Sequence, residues 1–169
     1  MPAKTNFILV ANHTSFFDPF ILTAAIPQRV HWVALRSIYH SPLLKWFMKA
    51  IKTLPTGSAS ERMINLLTKN KNVALFPEGT RSFDGKLKEF RTGAAVLALK
   101  TGRPIVPCAI FGAYEAFPRH AKLPKFVALK VKIGKPKYLL KEFCDTVDQV
   151  CLKEGIFKIR NAIKEMLYA

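Results

Sequence analysis

Phe7-Ile8-Leu9-Val10-Ala11-Asn12-His13-Thr14-Ser15-Phe16-Phe17-Asp18 is an apolar run that passes directly into a polar, helix-starting one. The run Phe7–Ala11 is short and partly β-branched, which reads as a buried strand. Ser15 is placed to cap a helix, with Asp18 three residues on as in a capping box. Pro19 then falls in the first turn, where its missing N–H costs least. The helix is expected to continue through Phe20, Ile21, Leu22 and Ala25 and to stop before Pro27.

Outward from that stretch the chain keeps alternating strands with helices. Strands are expected at Val30–Leu35, Val73–Phe76, Pro104–Phe111 and late in Lys125–Ile133. In the last of these Lys130 and Lys132 point one way and Leu129, Val131 and Ile133 the other. Helices are expected at Ser41–Ile51, from a Ser60 cap to Lys69, and at Phe90–Lys100, the last closed by Gly102. A final helix, about 145–168, is capped by Asp145, with Val147, Val150, Cys151, Ile159, Ile163 and Met166 as a stripe interrupted near Gly155. This pattern is α/β: one domain over 1–169, with a mostly parallel central sheet flanked by helices.

The chain has 169 residues and a formal net charge of +16, from 27 Lys and Arg against 11 Asp and Glu. Such an excess favours anionic partners: lipid headgroups, phosphorylated small molecules, acidic proteins or nucleic acid. Nucleic acid is set aside, because no recognised binding motif and no array of aromatics over a basic groove is present. The three cysteines show no zinc-site spacing and are expected to be reduced. No apolar run approaches the roughly 20 residues of a spanning helix, so a membrane role would be peripheral. The expected location is the cytoplasmic face, against an anionic surface. The segment 41–52, with Lys45, Lys49 and Lys52 on one face and Leu44, Trp46, Phe47 and Met48 around the remainder, suits a lipid interface and equally an ordinary packed helix.

Two stretches carry chemistry. His13 sits just outside the helix start and Asp18 in its first turn, so the ring can fold onto the carboxylate. A carboxylate that fixes the imidazole tautomer makes a general base near neutral pH. The same residues would equally serve a plain helix cap with a surface histidine. Phe76-Pro77-Glu78-Gly79-Thr80-Arg81-Ser82 leaves the carboxyl end of a strand, where open α/β sheets place ligand crevices. Glu78 can accept from a hydroxyl, Gly79 lets backbone approach a ligand, and Arg81 offers a fork of donors suited to phosphate. A strand-to-loop turn held by a Glu–Arg pair would look the same.

Together, Asn-His-x-Ser-x-x-Asp and Phe-Pro-Glu-Gly-Thr-Arg-Ser resemble the glycerolipid acyltransferase family, which includes the lysophosphatidic acid acyltransferases. Phe90-Arg91-Thr92-Gly93-Ala94 and Ile105-Val106-Pro107-Cys108-Ala109-Ile110 agree with it, and the resemblance runs from about Asn6 to Gly134. It implies a glycerol-3-phosphate acyltransferase-like fold. The implied reaction moves a fatty acyl group from acyl-CoA or acyl carrier protein to the hydroxyl of a lysophospholipid such as 1-acylglycerol-3-phosphate. No cofactor or metal is implied. By that resemblance His13 is the base and Asp18 its orienting partner. Glu78, Gly79, Thr80 and Arg81 bind the acceptor, and Pro107 lines the acyl or catalytic side.

Two departures from the family pattern stand out. Thr56 occupies the place of an acceptor-binding arginine of the second block, a loss for which Lys52 or Arg62 could substitute. Only eleven residues precede Asn12, where many relatives carry a hydrophobic or amphipathic segment, so either the segment near Trp46 binds the surface or the chain is truncated. An acyl-thioester hydrolase and a non-catalytic membrane module are the competing readings. A hydrolase has no use for a phosphate grip, and a module predicts that His13→Ala changes nothing.

Overall fold

The computed structural model describes residues 2, 5–34, 54–55, 59–139 and 148–169. In chain order the elements are β1 (Ile8–Ala11), α1 (Asp18–Ala25), β2 (Val30–Ala34), β3 (Leu54–Pro55), α2 (Ala59–Thr68) and β4 (Asn72–Leu75). There follow α3 (Gly93–Thr101), β5 (Ile105–Phe111), α4 (Ala113–Ala116), β6 (Lys130–Ile133) and α5 (Gln149–Tyr168). The strands form one sheet in the order β3-β2-β4-β1-β5-β6. Every neighbouring pair is parallel except β5 with β6. The architecture is the mostly parallel α/β sheet flanked by helices that the alternation predicts.

β1 is the centre, with Leu9 opposite Ala74 on β4 and Val106 on β5. It is buried on both faces, as a strand covered by helices on each side must be. Ile8 and Val10 face a core built from Leu67 of α2, Ala94 and Ala98 of α3, and Ile159 and Ile163 of α5. Phe7, Leu9 and Ala11 face the other core, with Leu22 of α1 and Trp32 of β2. Each such fully buried side chain is worth about 1.5–3 kcal/mol, so the period-two pattern of one short strand fixes both layers. Pro107 is tolerated inside β5 because its carbonyl accepts from Gly134 N at 2.8 Å, just past the end of the β6 ladder. The N–H it lacks therefore lies on that outer side, away from β1.

Several boundaries differ from expectation, each for a packing reason. α1 begins at Asp18 with Phe17 as its N-cap, so Ser15 is not the cap. Ser15 is drawn instead into a bridge with Pro118. β4 is Asn72–Leu75 rather than Val73–Phe76, because the Asn72 side chain ties β4 to Phe7 and Arg29. α3 starts only at Gly93, since Arg91 N is spent on Pro77 O at 2.8 Å. Its end is as expected, with Gly102 in the left-handed region at φ +64°. β6 is limited to Lys130–Ile133, and Ile133 is exposed at this sheet edge.

In α5 the cap is Asp148, which accepts from Cys151 N at 2.8 Å, not Asp145. Gly155 continues the buried stripe rather than interrupting it. A Cβ there would lie 3.2 Å from Ala95 Cβ and 3.0 Å from Leu139 Cδ1, so α5 packs closely where the side chain is missing. Val150 is exposed and leaves the stripe. The expectation of reduced thiols holds for buried Cys108 and fails for Cys151, which is disulfide-bonded. The expected helix at Ser41–Ile51, Asp145, Lys52 and Thr56 also fall outside the described residues. Arg62 is exposed on α2.

β1 sends its chain to α1 on one face, and the adjacent β4 sends its chain to α3 on the other. Neighbouring parallel strands whose connections part in this way open a crevice at their carboxyl ends. His13 lies two residues past the end of β1 and Glu78 three past the end of β4.

Candidate active site

The bottom of the crevice is made by Asn12. Its amide copies a strand residue: Nδ2 donates to Ile110 O at 3.0 Å and Oδ1 accepts from Ile110 N at 2.8 Å. That side-chain pairing extends the β1–β5 ladder by one step and frees the backbone to turn. His13 comes next, and both of its backbone groups are held by the second loop. His13 N donates to Glu78 Oε1 at 2.7 Å, and Ser82 N donates to His13 O at 2.7 Å. Glu78 Oε2 accepts from Lys88 N at 3.1 Å, so the carboxylate braces two pieces of backbone.

The ring of His13 is fixed as firmly. Nδ1 lies 2.7 Å from Asp18 Oδ2, with Asp18 fully buried and 19% of the His13 side chain exposed. Phe76 stacks on the ring at 4.0 Å between centroids and 11° between planes. Trp32 stacks behind Phe76 at 5.2 Å. Asp18 Oδ2 also accepts from Thr14 N at 2.7 Å and Ser15 N at 2.8 Å. An acceptor already holding two backbone donors cannot give a proton to Nδ1, so Nδ1 is the protonated nitrogen and Nε2 carries the lone pair.

Burial pushes the Glu78 carboxyl up to about 6, and the neighbouring Asp18 charge adds to this; the His13 and Lys88 amides and the Lys88 charge oppose it. Arg81 is lowered from its ordinary value first by burial and then by the charge of Arg119, while Asp18 acts the other way. The half-buried Arg81 guanidinium therefore feels both the exposed Arg119 and the buried Asp18 carboxylate.

Of the residues singled out in sequence, the fold brings His13, Asp18, Glu78, Gly79, Thr80 and Arg81 to one crevice. Gly79 adopts φ +73°, a turn conformation that favours glycine, whereas the exposed Arg91 side chain, 2.6 Å from where a Cβ would lie, could move aside. Thr80 Oγ1 accepts from Lys88 Nζ at 2.7 Å. Pro107 is not brought to the loops. It lies inside β5 opposite Val10 and against Gly134.

Four contributors were not singled out: Phe76, Ser82, Lys88 and Arg119. Phe76 and Ser82 are the first and last residues of the quoted motif, so their proximity to His13 was available once the two stretches were joined. Arg119 gives no local signal. It arrives because Ser15 Oγ donates to Phe117 O at 2.8 Å and because the next residue but two, His120, packs on Phe83 at 5.6 Å. One loop thus spans from the histidine stretch to the arginine stretch.

Residues 1–111 match the family model described as Acyltransferase. The chain is 32% identical over 145 residues to the chloroplastic 1-acyl-sn-glycerol-3-phosphate acyltransferase of Brassica napus, covering 80% of this chain and 42% of that one. It is 29% identical over 144 residues to the 1-acyl-sn-glycerol-3-phosphate acyltransferase of Bacillus subtilis, covering 80% and 69%. The crystal structure of the 1-acyl-sn-glycerophosphate acyltransferase PlsC from Thermotoga maritima superposes with a TM-score of 0.80 at 25% identity, over 99% of this chain and 69% of that one. The chain spans about half the length, or less, of several curated relatives it matches. With the model matched over residues 1–111 and the site-bearing loops inside that span, the chain belongs to the acyltransferase family.

Proposed function

We propose that the chain is an O-acyltransferase domain over its whole length. It would move a fatty acyl group from acyl-CoA or acyl carrier protein to the free hydroxyl of a lysophospholipid such as 1-acylglycerol-3-phosphate. The observation that carries this is the His13–Asp18 pair at 2.7 Å with the Nε2 lone pair left for substrate.

In the reaction His13 Nε2 takes the hydroxyl proton as the oxygen attacks the thioester carbonyl. The tetrahedral intermediate collapses, the C–S bond breaks, and the thiolate takes the proton back from the imidazolium. Asp18 stabilises that imidazolium and holds its orientation. The thioester is already activated, so base and positioning suffice. Arg81 holds the acceptor phosphate with Arg119 beside it, Gly79 shapes the approach, and Thr80 fixes Lys88. Glu78 supports the acceptor side indirectly, by locking the backbone of the base. Pro107 is assigned to the acyl side by family resemblance. The amides of His13, Thr14 and Ser15 are committed to carboxylates, so on this reading the oxyanion is held by other donors.

The test is to incubate the protein with acyl-CoA or acyl carrier protein donors and a panel of lysolipids, reading products by mass spectrometry. The expected result is an acylated phospholipid from wild type and none from His13→Ala. Undiminished product from the variant, or free fatty acid as the sole product of wild type, overturns the assignment. Membrane placement, at the cytoplasmic face, belongs to the same proposal. Among the described residues no helix is long and apolar enough to cross a membrane.

A further inference from the structure

Lys122-Leu123-Pro124-Lys125-Phe126-Val127-Ala128-Leu129-Lys130 is a run in which every residue is exposed. Phe126 is 109% exposed and Leu123 78%, and Val127 and Leu129 add 40% and 47%. A loop would normally spend polar residues here, and clustered apolar side chains on a domain surface mark an interaction site. The segment is not loosely hung. Lys125 N donates to Ala116 O at 2.7 Å, and Ala128 O sits where any Cβ on Gly112 would have to go. Phe126 and Val127 therefore project from a backbone anchored on both sides.

The charge around this run has one sign. Between Glu115 and Glu142 the sequence contains no Asp or Glu. Lys122, Lys125 and Lys130 flank the apolar residues, and among the described residues none of them makes an ion pair. An identical copy would meet this face with the same positive charge, as part of a chain of net +16. A nucleic acid would use the lysines and leave Leu123, Val127 and Leu129 without a role. An anionic bilayer uses both, taking the apolar side chains below its headgroups and pairing the lysines with them.

We infer that residues 122–130 are a membrane-docking surface, which seats anionic phospholipid through Leu123, Phe126 and Val127 with Lys122, Lys125 and Lys130 around them. The surface adjoins the crevice: four residues before Lys122, Pro118 bridges to Ser15. A lysolipid in the bilayer would thus lie beside the site that acts on it. That last point rests on the acyltransferase reading; the docking itself does not.

The experiment is flotation of the protein with phosphatidylcholine vesicles, with and without phosphatidylglycerol. Two variants are compared with wild type, Leu123→Ser/Phe126→Ser and Lys122→Glu/Lys125→Glu/Lys130→Glu, with circular dichroism as the check on folding. All substituted side chains are exposed. Wild type should float with anionic vesicles, and the serine pair should weaken binding at least ~10-fold. Removing lysines should cost about 5-fold each on anionic vesicles. Unchanged flotation of both variants overturns the inference. So does binding abolished by salt but indifferent to Phe126, the behaviour of a polyanion site, and so does a Phe126-dependent dimer by light scattering. Acyl transfer to a short-chain, monomeric lysophosphatidate is measured in parallel. Loss of flotation with that activity intact supports docking and catalysis separately. Flotation that depends on Phe126 in a protein with no transferase activity supports docking and fails the catalytic reading alone.

Discussion

The two ends of the crevice are built on opposite terms. At the histidine end every degree of freedom is removed: both backbone groups of His13 are bonded, its ring is stacked on Phe76, and Nδ1 is tied to a fully buried carboxylate. At the arginine end Arg81 and Arg119 share a region with no ion pair to either among the described residues. The rigid end suits a proton transfer, whose rate depends on geometry to fractions of an ångström. The charged end suits an anion that arrives with the substrate and neutralises two repelling cations.

Substitutions can set the two ends against each other. The largest effect is expected at the rigid end, where Asp18→Asn removes the charge that, on the proposed mechanism, stabilises the imidazolium. It should lower kcat by about 10²–10⁴-fold with little change in KM, measured in the same transfer assay beside a thermal melt. A variant that instead raises KM alone would move Asp18 to the binding side. At the open end Arg81→Ala should raise KM for a phosphorylated acceptor by about 10–100-fold through loss of a charged hydrogen bond. An uncharged monoacylglycerol should be nearly unaffected. Equal losses on the two acceptors would contradict the phosphate role.

Glu78 gives the third test, in stability. Its folded pKa, about 6, lies above the ordinary 4.5, so the folded state holds the proton more tightly. Stability from this group is full below pH 4.5 and is lost as pH rises through 6, by about 2 kcal/mol. Glu78→Gln should flatten that limb of the urea midpoint against pH, and an unchanged limb assigns it to other groups. The smallest effect is expected for Arg119→Ala. It relieves repulsion on Arg81 while removing one donor, so KM for the phosphorylated acceptor should rise by less than about 10-fold, as for one exposed charge. A loss equal to that of Arg81→Ala would make the two arginines a single unit.

The difference between the ends also explains what the sequence revealed. β1, β5 and the histidine stretch were legible because their signals are local: a short apolar run, a proline in a first turn, a His and an Asp five apart. The end of α3 was legible at Gly102 for the same reason. Ser15 misled because a serine three residues before an acid looks the same whether it caps a helix or, as here, holds Phe117 from 102 residues along the chain. Gly155 misled because a gap in an apolar stripe reads as an interruption, when closeness to Ala95 was what glycine supplied. Arg119 was invisible since its place is set by contacts about a hundred residues apart, which no window on the chain contains.

Asn12 has a consequence for assembly. Its amide closes on Ile110, 98 residues downstream, and the strand that carries it pairs on one side with β4 and on the other with β5. Contacts of such separation form late, because the loop entropy is lost before they reward it. The histidine stretch leaves the ribosome well before Phe117, yet its surroundings are complete only after Phe117 has emerged. The histidine stretch is thus finished only once a much later part of the chain is in place, and a chain halted before Ile105 would leave the β5-facing edge of β1 unpaired.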